Sequence, residues 1–241
     1  MVAGFEGYFL RGERYALLSH TPEGKRAPID SSPRVQVSTD ASPASNLFRA
    51  KGLVHTGAVE FWNAMVPGGA SAVRATLVDS GQEQASAFYD TRFVPGGWYP
   101  VLPVLVSAVA AARLRRKAVA DHVRENSAWL AERDLRGVYR VILSIASVEA
   151  VASRLGGLSM RYFDFGSAKA RSLGRWAAEW DRTGIPAALG PWFNWCTEGF
   201  VPVALRMAGA RSVEVRAAAP LTDGTSHGVA TVRLHFDIRW T

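Results

Sequence analysis

The stretch GVATVRLHFDIRW, Gly228 to Trp240, decides the fold. Its apolar and polar residues alternate with period two, the spacing of a strand that buries one side. Val232, Leu234, Phe236, Ile238 and Trp240 share one face, and Arg233, His235, Asp237 and Arg239 share the other. Just upstream, RSVEVRA (Arg211–Ala217) alternates in the same way, and the turn-rich APLTDGTSHG (Ala219–Gly228) joins the two. An antiparallel ribbon with one packed face and one wet face follows from that pattern.

Working back along the chain, IPAALGPWFNWCTEGFVPVALRMAGA (Ile185–Ala210) is apolar on nearly every side. It reads as a buried helix with Pro191 in its first turn, a kink at Pro202 and Gly209 just past its end. MRYFDFGSAKARSLGRWAAEWDRTG (Met160–Gly184) has two readings. It forms strands broken at Gly166 and Gly174, or a helix that gathers Leu173, Trp176 and Trp180. The interrupting glycines favour strands.

Helices are expected from Val101 to Leu155. Leu135, Val138, Tyr139, Ile142 and Ile145 make one helical stripe with Asp134 as its N-cap, and Ser147 caps a following helix that stops at Gly156-Gly157. In RFVPGGWYPVLPVLVSAVAA (Arg92–Ala111) a glycine pair, Trp98, Tyr99 and Pro100 precede an apolar run. From Val101 to Ala112 that run is about a dozen residues, short of the ~20 that cross a bilayer. A buried helix starting near Pro100 is the reading, not a membrane span. Further upstream, ASAVRATLV (Ala70–Val78) and AVEFWNAMV (Ala58–Val66) read as helices, and LFRAKGLVHTG (Leu47–Gly57) as a strand. Residues 1–18 carry the apolar residues of a short element, residues 19–46 are rich in Ser, Pro and small polar residues, and together 1–46 read as an arm and linker. Residues 47–241 then form one α+β domain, with a helical layer on an antiparallel sheet around a single interior.

The chain has 241 residues, and 48% of them are hydrophobic, enough for a sizeable core. The net charge of +7 comes largely from dispersed arginines, with one dense cluster at Arg113–Lys117. Without aromatic-basic interleaving or a helix-turn-helix pattern, nucleic acid is not an expected partner. One cysteine, Cys196, excludes an intramolecular disulfide and a cysteine-based zinc cluster. It fits a reducing compartment, and the opening residues lack the features of a secretory signal, so cytoplasm is the expected location.

No phosphate-binding loop, dinucleotide fingerprint, nucleophile elbow or paired metal-histidine motif is present. The five histidines are scattered, and His235 beside Asp237 is what strand alternation gives anyway. Cys196 sits in the aromatic setting WFNWCTEGF, which suits a small core residue better than a reactive thiol. The expectation is therefore no catalytic residue, no metal and no cofactor. What stands out is eight tryptophans, several next to glycine or proline. Such rings either fill the core or wall a hydrophobic cavity. On the second reading Trp98, Tyr99, Trp192 and Trp195 line a pocket, and Arg161 supplies a counter-charge for an acidic ligand.

The phrases FRAKGLVHTGAVEF, FVPGGWYPV, LAERDLRGVYRVIL, RYFDFGS, GFVPVALRMAGARSVEV and FDIRW together resemble a paralogous family of uncharacterised myxobacterial proteins, over roughly Leu47 to Trp240. The architecture is similar, more distantly, to 4-vinyl-reductase-type small-molecule-binding domains and their haem-NO-binding and TRAPP-like relatives. That resemblance implies an α+β fold that binds a hydrophobic small molecule or a protein partner. Haem-binding relatives combine a histidine with a Tyr-x-Ser-x-Arg motif. The sequence lacks that motif, and His122 stands without it. The expected function is a small-molecule-binding or sensory module, with a homodimeric or adaptor scaffold as the alternative and an enzyme last.

Overall fold

Residues 47–135 and 147–241 are described by the computed structural model of the chain. The expected arm (1–46) and most of the 135–145 stripe lie outside the described residues. A short antiparallel ribbon opens the fold, pairing β1 (Arg49–Lys51) with β2 (Trp98–Pro100). Only these three residues of LFRAKGLVHTG are extended. Helix α1 (Gly52–Met65) starts six residues before the expected Ala58, because the loop ahead of β2 supplies its missing cap. The N–H groups of Gly52 and Leu53 donate to the carbonyls of Gly97 (2.8 Å) and Pro95 (3.2 Å). These are two of the donors that a helix start leaves without an internal partner. Glycine is required at position 52, since a Cβ there would lie 2.2 Å from the Val94 carbonyl oxygen.

Helices α2 (Gly69–Asp79), α3 (Glu83–Phe88), α4 (Leu102–Leu114) and α5 (Val119–Asp134) follow. Pro103 sits in the first turn of α4, where its missing N–H costs nothing. Asp134 closes α5 and pairs with Arg133, rather than capping a new helix. Ser147 does cap α6 (Val148–Ser159), its Oγ accepting from the Ala150 N–H at 3.1 Å. The expected stop at Gly156-Gly157 does not occur. Gly156 instead lets the Trp180 ring approach to 3.3 Å of where a Cβ would be, while the Trp180 indole donates to the Ala152 carbonyl at 2.9 Å. The glycine is a packing residue, and α6 runs past it.

After a short 3-10 turn at Met160–Tyr162, the segment is extended as the glycines suggested: β3 (Ser167–Ser172) and β4 (Ala177–Pro186) make a hairpin turned at Gly174. Helix α7 (Gly190–Met207) starts with Pro191 in its first turn and is followed by Gly209 at φ +105°. Strands β5 (Val213–Ala217), β6 (Leu221–Ser226) and β7 (Val229–Trp240) complete the sheet. The expected connection Ala219–Gly228 therefore holds a strand of its own, and only His227-Gly228 turn. Strand β7 pairs with β4 along one edge; on the other, β6 covers its first half and β5 its second. Strand β3 lies at the border beyond β4.

Leu234, Phe236, Ile238 and Trp240 are all buried on the β7 face that packs inward. Two apolar clusters form the interior, where one was expected, and α4 contributes to both. The larger gathers Phe48, the first half of α4, α6, α7 and the inner sheet face. The smaller joins Phe61 and Trp62 of α1 with Val73, Leu77, Tyr89, Ala110 and Ala111. Among the described residues no helix is long and apolar enough to cross a membrane.

Among the described residues the tightest helix contact is between α5 and α7. A Cβ on Gly199 would lie 2.1 Å from the Arg124 carbonyl oxygen, and the Arg124 guanidinium bonds Glu198 at 2.6 Å beside it. Gly199→Ala should force the helices apart and lower stability by about 2 kcal/mol. Thermal melting followed by circular dichroism would register this as a fall of roughly 4–8 °C.

Candidate functional site

The five residues singled out by sequence fall in two places. Trp98 and Tyr99 lie on β2 beside the start of α1. Trp98 is exposed, with the Lys51 ammonium 5.6 Å above its ring, and the Tyr99 hydroxyl accepts from the Val94 N–H at 3.0 Å. Trp192 and Trp195 lie on α7 in or against the larger cluster, Trp192 meeting Phe163 at 6.1 Å and Phe193 at 5.1 Å. Arg161 is exposed in the short 3-10 turn Met160–Tyr162. No described ring contact joins the two groups.

A residue that sequence reading passed over lies at the centre of the first group. His55, on α1, is completely buried, and neither ring nitrogen has a hydrogen-bond partner of normal geometry. Four rings enclose it: Phe93 stacks on it at 4.9 Å and 19°, Phe88 meets it at 5.0 Å, Tyr99 at 6.0 Å and Tyr89 at 6.3 Å. Burial pulls its pKa down to about 4, which a weak approach to the Tyr99 backbone only partly offsets. The imidazole is therefore neutral at pH 7, with one donor and one acceptor unmet in a greasy cage. Phe93 itself is half-buried, on the irregular loop Asp90–Gly97 that caps α1. That loop closes the cage from the solvent side.

His122, on α5, is the second fully buried histidine. Its pKa also falls to about 4, through burial first and then through the cations Arg115 and Lys117 against the opposing pull of Glu125. Arg115 Nη1 lies 3.4 Å from His122 Nδ1, and Phe61 is edge-on at 5.5 Å. Cys196 packs against the larger cluster, and burial of its sulfur raises the thiol to about 12. It carries no thiolate at neutral pH, as its aromatic setting suggested.

No family model and no curated protein matches the sequence. The fold does match solved structures. A structure described as an oxygen-binding H-NOX domain related to soluble guanylate cyclases superposes with a TM-score of 0.55 at 12% identity, covering 79% of this chain and 95% of that one. An H-NOX structure concerned with haem distortion gives 0.57 at 13%, with 79% and 95% covered. A point variant of the T. tengcongensis H-NOX domain gives 0.53 at 13%, with 78% and 95% covered. The chain therefore has the fold of these domains.

Haem is named for that fold, but the buried histidines of this chain do not suit it. The ring of His55 is enclosed by four aromatic rings at 4.9–6.3 Å, so displacing Phe93 alone frees the space of one ring and not of a tetrapyrrole. At His122 the neighbour of Nδ1 is a guanidinium, which only donates. With Nδ1 accepting, the proton sits on Nε2, the nitrogen that an iron would need bare. The absence of Tyr-x-Ser-x-Arg agrees with this reading.

Both buried histidines titrate near pH 4 when folded and near 6.5 when unfolded. Below about 6.5 the unfolded chain takes up the protons, so stability is lost as pH falls from 6.5 towards 4, by on the order of 3 kcal/mol for each group. Urea midpoints at pH 7.0, 5.5 and 4.5 should fall less steeply in His55→Leu than in the native chain. At pH 7 the variant should be equally stable or more so, because it removes two unmet polar atoms.

Proposed function

We propose that the chain is a small-molecule-binding sensory module with no catalysis of its own, taking an apolar, planar ligand into the cage around His55. The observation that carries this reading is the buried, neutral imidazole with unmet hydrogen-bonding capacity, walled by aromatic rings and closed by one surface loop. Sites for small ligands combine apolar walls with a few polar atoms in this way. Tyr99 belongs to the wall and Trp98 to the rim. Among the H-NOX neighbours, one is an oxygen-binding domain in its oxygen complex and another was studied for haem distortion. That supports ligand sensing as the general role, while the cage of this chain suits a ring-shaped ligand that takes the place of Phe93.

Movement of Phe93 gives the sensor an output. The loop that carries Phe93 also caps α1 through Pro95 and Gly97. Lifting the loop frees the first N–H groups of α1, so occupancy of the cage and order at the helix start are linked.

Indole, a flat apolar ring with one N–H donor, is a suitable probe for thermal melting. It should raise the melting temperature of the native chain saturably. Phe93→Ala should enlarge the rise by vacating the stacking position, and Phe93→Trp should abolish it. No shift in the native chain would overturn the proposal.

A partner-binding scaffold is the second reading, favoured by the β3–β4 hairpin tip. Leu173 and Trp176 are half-exposed there, and the Arg175 guanidinium lies 4.8 Å over the Trp176 ring. A dimer that Trp176→Ser converts to monomer in sedimentation would support it.

A further inference from the structure

The solvent-facing side of the sheet gathers a histidine and three carboxylates that are far apart in sequence. Pairing β4 with β7 places Glu179 opposite Asp237 and Asp181 opposite His235. One ligand-type atom from each of Glu179, His235 and Asp237 lies within 4.8 Å of the others. The histidine is oriented as well as adjacent. Its Nδ1 lies 3.1 Å from Asp181 Oδ1, so Nδ1 carries the proton and donates it to that carboxylate. The lone pair is then on Nε2, which lies 3.7 Å from Asp237 Oδ1. That distance is too long for a hydrogen bond. It is close to the roughly 3.4 Å that separates two atoms bound tetrahedrally to one zinc-sized ion. The carboxylate–imidazole pair is also the arrangement by which proteins fix the tautomer of a metal-binding histidine.

From this geometry we infer that Glu179, His235 and Asp237 form a binding site for one divalent transition-metal ion, with Asp181 holding the His235 ring. Imidazole and carboxylate ligands together suit zinc and its first-row neighbours. Water would complete the coordination on the open side. The surrounding charges are compatible with this role. Arg171, on β3, bonds Glu179 through two of its nitrogens, but both bonds fall on Oε2 and leave Oε1 for an ion. Lys169 faces Asp181 across the β3–β4 pair. Arg216 lies opposite Asp237 on β5 and is itself paired with Glu214 at 2.8 Å.

Titration calorimetry of the untagged 241-residue chain with zinc chloride, and with cobalt chloride as a spectroscopic substitute, tests the site. The native chain should bind one equivalent, with a Kd below about 10 µM (about 7 kcal/mol). His235→Asn should abolish binding, and His227→Asn, on a separate turn, should leave it intact. Asp181→Asn should weaken it by roughly 10- to 100-fold, the usual effect of losing an orienting partner. Arg171→Gln should tighten it, because Glu179 gains an oxygen and the site loses a cation; unchanged or weaker binding there would remove Glu179 from the ligand set. No binding by the native chain, or binding that survives His235→Asn, overturns the assignment.

Discussion

Strand β7 meets β4 on one edge, β5 and β6 on the other, and the inner helical layer on one face, so its alternation is constrained from three sides. A shift of one residue would put Leu234, Phe236 and Ile238 into water and His235 and Asp237 into the core. The irregularities needed to fit such a strand are therefore placed in its partners. On β4, Thr183 and Gly184 together face the single position Arg233, and Gly184 takes up a left-handed conformation with φ +67°. Its N–H donates to Asp223 of β6 at 2.7 Å, which ties the bulge to the far edge of β7. The bulge changes the phase of β4, so that Arg182 and Ile185 both point inward. Arg182 lies between the rings of Phe193 and Phe236, at 5.5 and 5.7 Å. Burial draws its pKa down to about 10, and it remains a cation at neutral pH.

The helical half is organised around a different constraint. Helix α1 begins against backbone carbonyls from a loop more than forty residues further along, rather than with a capping side chain of its own. That loop supplies the Phe93 ring over His55, and its Val94 N–H is held by the Tyr99 hydroxyl. A single segment thus serves as helix cap, cage wall and strand lead-in. Of the two glycines in VPGGWYP, Gly97 passes close to the Tyr99 ring, which a Cβ there would meet at 3.0 Å, and its carbonyl receives the Gly52 N–H.

Features that depend on near neighbours were legible in the sequence. The period-two pattern of β7, Pro191 and Gly209 around α7, and Ser147 before α6 each act within a few residues. Features that depend on distant partners were not. Strand β6 has the composition of a turn, and only the pairing offered by β7 makes LTDGTS extended. Asp134 looks like a helix start because aspartate caps well, yet the six residues between Ser127 and it are already helical and commit it to the end of α5. His55 falls in a stretch that reads as a strand and nothing near it in sequence marks it, since its cage comes from Phe88, Tyr89, Phe93 and Tyr99. His235 and Asp237 look like plain alternation until β4 brings Glu179 and Asp181 alongside. Of the tryptophans, proximity to glycine or proline separated neither exposed from buried positions nor one cluster from the other.

The border formed by β3 has a consequence for life in a crowded solution. A border strand offers unpaired backbone groups to any neighbouring molecule able to extend the sheet. Here that strand is only six residues long, opens and closes with serine, and projects Lys169 and Arg171 outward. A second copy added antiparallel would set these cations against their own counterparts, with nothing apolar gained on that side. At this border such repulsion disfavours extension of the sheet by a second copy of the same strand.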